Sequence, residues 1–129
     1  MPALYSDTLL DHFKHPRNYG DLPAADISYE SFNPVCGDRI RIALKLNERV
    51  VQDVRFKGDG CAISTAAASL LTELIHGADL ETISSIPDDR LLSALESDIQ
   101  PARLQCALLP LEALRAGLKD YRNGVGRSS

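Results

Sequence analysis

The chain has 129 residues, 44% of them hydrophobic, and a formal net charge of −4. That length fits one domain able to bury its own core, and the acidic balance counts against a general nucleic-acid grip, which needs a basic face. No apolar run reaches the roughly 18 residues a membrane-spanning helix needs.

The first expected helix runs from about Ser6 to Lys14. Ser6 can cap it, Leu9, Leu10 and Phe13 share one side, and Pro16 disfavours helical geometry at His15. Strands follow. A first one near Ile27–Phe32 is weakly marked. Ile40, Ile42, Leu44 and Leu46 then alternate with Arg39, Arg41, Ala43 and Lys45, and Val50, Val54 and Phe56 alternate with Val51, Asp53, Arg55 and Lys57. The link Asn47-Glu48-Arg49 reads as a hairpin turn. One apolar face per strand predicts an antiparallel sheet covered on one side by helices, an α+β fold.

After Gly60-Cys61 the period changes from two to 3.6. Ile63, Ala67, Leu70, Leu71 and Leu74 form one stripe, with Gly77 as the stop. Short helices are expected over Asp79–Ser84 and Asp88–Glu96, with Pro87 in the first turn of the second. The last helix carries Leu111, Leu114, Leu118 and Tyr121. A proline in a helix interior costs roughly 3 kcal/mol, but in the first turn its missing donor has no helical partner to lose. Pro110 therefore predicts a start near Cys106, with Asn123-Gly124 closing the helix. Residues 1–124 read as a single domain and 125–129 as a mobile tail.

The chemistry lies in three cysteines, each in its own short motif: Asn33-Pro34-Val35-Cys36-Gly37-Asp38, Gly58-Asp59-Gly60-Cys61-Ala62-Ile63-Ser64, and Pro101-Ala102-Arg103-Leu104-Gln105-Cys106. An odd number cannot pair fully within one chain. The start Met1-Pro2-Ala3-Leu4-Tyr5-Ser6-Asp7 does not read as a signal peptide, so reduced thiols and a cytoplasmic location are expected. Cys61 and Cys106 fall at predicted helix starts, where partial positive charge favours a thiolate. Asp38, two residues after Cys36, can supply a carboxylate. Three soft ligands and one carboxylate suit zinc, or iron and sulfur. No pair has Cys-x-x-Cys spacing, so spacing alone is a weak signal; a free cysteine can be a small buried apolar residue, and Asp38 a turn residue bonding its own backbone.

The chain resembles the U-type iron–sulfur scaffold family (IscU, SufU and the N-terminal domain of NifU) from about Tyr5 to Tyr121. The matching stretches are Asp11-His12-Phe13-Lys14-His15-Pro16-Arg17-Asn18, Asn33–Asp38, Phe56–Ser64 and the segment ending in Cys106. The resemblance implies a three-stranded antiparallel sheet with helices packed on it and the cysteines converging at one exposed end. It implies that Cys36, Asp38, Cys61 and Cys106 bind zinc or a nascent [2Fe–2S] cluster, with sulfur delivered as persulfide by a cysteine desulfurase and the cluster passed to recipient apoproteins or carriers. Cys36 is the expected sulfur acceptor and Cys106 the alternative.

Two departures bear on the branch. Isc-type scaffolds place a histidine immediately before the third cysteine, where this chain has Gln105, which looks more like SufU. SufU proteins, however, carry a longer insertion between the second and third cysteines, which this chain lacks. Where the Isc chaperone recognises Leu-Pro-Pro-Val-Lys, this chain has Ile99-Gln100-Pro101-Ala102-Arg103, which counts against chaperone binding. Arg103 and Gln105 are expected beside the ligand set, Arg103 offsetting its negative charge. Tyr5, His12, Lys14 and Arg17 form a candidate desulfurase-docking patch. The leading expectation is a cluster-assembly scaffold. A zinc-dependent sulfur carrier that builds no clusters is the second, and a structural zinc domain the third. Independent catalysis is not expected, because no catalytic base or cofactor loop is recognisable.

Overall fold

The computed structural model describes residues 5–35 and 37–123; Cys36 and the expected tail 125–129 lie outside the described residues. The element order is α1 (Asp7–Lys14), β1 (Ile27–Asn33), β2 (Asp38–Asn47), β3 (Val50–Asp59), α2 (Ala62–Ile75), α3 (Leu80–Ser84), α4 (Asp88–Ala94) and α5 (Leu104–Arg122), the last entered through a 3-10 turn at Pro101–Arg103. The strands form one antiparallel sheet in the order β1-β2-β3. Helices α5 and α2 cover one face, α5 against β1 and β2 and α2 mainly against β3, and α1 lies on α2.

The β2–β3 hairpin forms where expected, with Asn47 paired to Val50 and Glu48 in the left-handed region. The inward face of β3 differs from the simple alternation. Val51 is 1% exposed and Val50 is 41% exposed. The register shifts between Lys45 and Leu46, which pair with Asp53 and Val51. One extra residue on β3 makes this a bulge, which turns Val51 inward beside Val54 and Phe56.

Helix α2 was expected to show one apolar stripe. It is instead buried nearly all round, from Ile63 and Ser64 through Ala66–Thr72 to Ile75. A helix between other elements needs apolar or small residues on every side, and Ala66, Ala67, Ala68 and Ser69 let its neighbours approach. Pro87 caps α4 from outside rather than occupying its first turn, and α4 ends at Ala94. Helix α5 begins at Leu104, two residues before the expected start. Pro101 opens the preceding 3-10 turn, a position that suits proline, and that turn runs straight into the helix. Pro110 therefore lies in the second turn and has no N–H to offer the Cys106 carbonyl.

Helix α1 is fixed at both ends. Ser6 accepts the Leu9 N–H at 3.0 Å and donates to the Leu95 carbonyl at 2.6 Å. His12 is buried, which removes it from the proposed docking patch. Its Nδ1 lies 2.7 Å from Ser69 Oγ on α2, and its Nε2 lies 3.4 Å from Glu73 Oε1. Ser69 Oγ also accepts the Arg17 N–H at 2.8 Å. Burial pushes the His12 pKa below its ordinary value of 6.5, with Arg17 adding to the effect and Glu73 and Asp11 opposing it. A depressed base binds protons more readily in the unfolded chain. Its contribution to stability is thus complete above pH 6.5 and is lost as pH falls from there toward the folded-state value. Urea midpoints measured from pH 8 to 5.5 are expected to fall more steeply for the wild type than for His12→Asn. Parallel profiles would show that His12 does not titrate with unfolding.

Candidate metal centre

Three chain segments meet at one end of the sheet. The first is the β1–β2 connection. Asn33 pairs with Asp38 across it, the Asn33 carbonyl accepts the Gly37 N–H at 2.7 Å, and the Asn33 side chain accepts the Val35 N–H at 3.0 Å. Gly37 takes φ +75°, a value disfavoured for any residue with a Cβ. Asp38 thereby starts β2 with its side chain on the buried face. Val35 projects outward, 85% exposed.

The second segment leads from β3 into α2. Gly58 runs against β2 so closely that a Cβ there would collide with the Arg39 carbonyl. Cys61 is the N-cap residue of α2, in extended conformation, and its carbonyl accepts the Thr65 N–H at 3.0 Å. Its sulfur is half-buried and lies 3.7 Å from Ser64 Oγ. The third segment is the first turn of α5, where Cys106 is 0% exposed. Both sulfurs therefore sit at helix N-termini, where unpaired N–H groups and the helix dipole favour negative charge.

The sulfurs of Cys61 and Cys106 and a carboxylate oxygen of Asp38 all lie within 4.8 Å of one another. A tetrahedral centre with metal–sulfur bonds of about 2.3 Å holds its donors roughly 3.8 Å apart, so a small contraction suffices. Asp38 Oδ2 is buried and has no hydrogen-bond partner among the described residues. Such an atom costs about 1–3 kcal/mol unless something binds it. The donor set and the orphaned oxygen both fit a bound metal.

Sequence reasoning placed Cys61 and Cys106 at helix starts beside Asp38, and the structure brings these three together. Cys36 lies outside the described residues. Arg103 is exposed, in the turn before α5, and lines a shallow hollow with Tyr5, Ile63 and Asp98. Gln105 is also exposed and lines a hollow with Phe32, Pro34 and Glu112. Ser64 is the residue at the site to which the sequence reading assigns no role. The signal was its spacing: three residues after an N-cap, a side chain turns back over the cap.

Residues 4–127 match the profile of the NifU-like N-terminal domain family. The chain is 38% identical to the zinc-dependent sulfurtransferase SufU of Bacillus subtilis, with 96% of this chain and 95% of SufU aligned. It is 35% identical to the iron–sulfur cluster assembly scaffold protein IscU of Azotobacter vinelandii, with 95% and 97% aligned. The SufU alignment runs over 141 positions, more than the 129 residues here, so SufU carries residues with no counterpart in this chain. A structure described as an iron–sulfur cluster assembly scaffold of the SUF system, from Fervidobacterium islandicum, superposes with a TM-score of 0.76 at 26% identity, covering 89% of this chain and 96% of that one. The NifU-like N-terminal structure from Brucella abortus, at 18% identity, shares the fold with a TM-score of 0.77, covering 93% and 95%.

Replacing the orphaned carboxylate by an apolar side chain of similar size should stabilise the metal-free protein. We expect Asp38→Leu, stripped by chelator, to exceed the stripped wild type by about 1–3 kcal/mol in urea and to gain nothing from added zinc. A destabilised variant would show that the carboxylate has a structural partner.

Proposed function

The chain belongs to the NifU-like N-terminal domain family, and from that premise we propose that it is an iron–sulfur cluster assembly scaffold: it takes sulfur from a cysteine desulfurase, binds the growing [2Fe–2S] cluster at Cys36, Asp38, Cys61 and Cys106, and passes it to recipient apoproteins or carriers. The observation that carries the reading is the convergence of Asp38, Cys61 and Cys106 around an oxygen with no hydrogen-bond partner among the described residues. The reading places the protein in a reducing cytoplasm, where its thiols stay free.

Sulfur acceptance is assigned to Cys36, the cysteine of the β1–β2 connection. Its thiolate attacks the terminal sulfur of the desulfurase persulfide. The donor's S–S bond breaks, the donor leaves as a thiolate, and a persulfide forms on Cys36. Conversion to bridging sulfide consumes two electrons, so the scaffold works with an electron donor. Cys106 is the alternative acceptor, but its complete burial makes direct attack harder.

The second reading is a zinc-dependent sulfur carrier that passes persulfide onward without building clusters. The SufU relative and Gln105, where Isc-type scaffolds have a histidine ligand, favour it. In that case Asp38, Cys61, Cys106 and Cys36 would hold the zinc, which lowers thiol pKa and keeps its ligands as thiolates.

Anaerobic reconstitution with ferrous iron, cysteine and a desulfurase separates the two. A scaffold yields iron and acid-labile sulfide in near-equal amounts, both lost on replacement of Cys36, Cys61 or Cys106. Retained zinc without labile sulfide, alongside faster desulfurase turnover, identifies the carrier. Asp38 is the hard, weak ligand of the set and the easiest to displace. Asp38→Ala is therefore expected to hold a reconstituted cluster longer than the wild type, read from decay of the visible chromophore. Faster decay would refute a release role for Asp38.

A further inference from the structure

Ser64 sits in the first turn of α2, 0% exposed, with its hydroxyl directed at Cys61. Its Oγ lies 3.2 Å from the Cys61 carbonyl and 3.7 Å from the Cys61 sulfur. The carbonyl is already satisfied by the Thr65 N–H at 3.0 Å. The Cys61 side chain, although at the N-cap, makes no capping bond to a backbone N–H of the helix. The space is also reserved: a Cβ on residue 60 would collide with Ser64 Oγ, and that residue is Gly60.

From this arrangement we propose that Ser64 is a positioning residue for Cys61, donating its O–H to the ligating sulfur and holding Cys61 as a fixed ligand while other cysteines exchange sulfur. The inference rests on the metal-centre reading. A hydroxyl between a carbonyl and a sulfur can turn toward either acceptor. With Cys61 as a thiol, the S–H can donate to Ser64 Oγ while the hydroxyl faces the carbonyl. With Cys61 as a thiolate ligand, the sulfur only accepts, and charge draws the hydroxyl toward it. Such a bond draws electron density from sulfur. It lowers sulfur's nucleophilicity and so biases persulfide formation away from Cys61. It also orients the Cα–Cβ–Sγ arm, because Ser64 is anchored on the first turn of a buried helix. Outer partners of this kind tune a centre without touching the metal.

Cobalt(II), bound to the chelator-stripped full-length protein, is the probe. Its sulfur-to-metal charge-transfer band reports the electron richness of the ligating sulfurs. Ser64→Ala is expected to move this band to lower energy, and Ser64→Thr, which keeps the hydroxyl, to restore it. In the wild type itself, exchange into D2O is expected to shift the metal–sulfur stretch, a readout that survives even if a variant folds poorly. An unmoved band in Ser64→Ala, equal shifts in both variants, or no deuterium shift overturns the proposal alone. A wild type without a charge-transfer band, or a band that Cys61→Ala leaves unchanged, overturns the metal-centre reading and the proposal with it.

Discussion

The structure is organised around an electrostatic conflict. A carboxylate and two cysteine sulfurs are held within 4.8 Å of one another, with Asp38 and Cys106 removed from water. As metal ligands both sulfurs are thiolates, and like charges at that separation repel, the more so when buried. Two features of the fold lower this cost without a cation. Both sulfurs lie at helix N-termini, where the backbone supplies fixed partial positive charge. Cys61 also stays half-buried, so part of the site keeps contact with solvent. Among the described residues the Asp38 oxygen remains uncompensated, and this residual cost is a driving force a metal would release.

Holding two helix starts against one strand end demands close packing far from the site. Gly58 allows β3 to press on the Arg39 carbonyl, which fixes where the chain leaves the sheet for Cys61. At the other end of α5, Gly117 faces Ile27 and Tyr29, and a Cβ there would sit 3.0 Å from Ile27 Cγ2. That contact lays α5 flat on β1 and so sets the depth of Cys106. The small residues of α2 let α1 close over its outer side, with the His12–Ser69 contact as a polar pin between them. The site is therefore rigid on its helical side. Its third side is the short β1–β2 connection, where the exposed Val35 lies.

Legibility in the sequence followed the range of the interaction concerned. The hairpin, the cap at Ser6, the period change at Cys61 and the α+β architecture are local patterns and could be read directly. The inward turn of Val51 could not, because the bulge depends on how β3 registers against β2. Cys106 does lie in the first turn of α5, but the helix begins two residues before it and carries Pro110 in its second turn, because the favourable opening at Pro101 runs into it. The all-round burial of α2 depends on neighbours from both the sheet and the other helices, which no window of its own residues reveals. In the site, the short loop motifs around the cysteines, not their spacing, marked Cys61, Cys106 and Asp38 as candidates. That Asp38 would be buried without a partner is a tertiary fact: an Asp after a glycine turn reads equally well as a solvated turn residue.

The division of labour among the ligands follows from where each sits. Cys106 is sealed inside α5 and the core, so it can leave a bound metal only if the helix start moves. Cys61 is half-open but restrained by Ser64 and the first turn of α2. Asp38 stands at a strand end beside a glycine turn, and its oxygen is a harder and weaker donor than sulfur. The most easily displaced of the three described donors is thus Asp38. A site with two anchored sulfurs and one displaceable carboxylate can open on one side without losing its contents. Transfer needs that property, and a purely structural zinc site, closed on all four positions, lacks it.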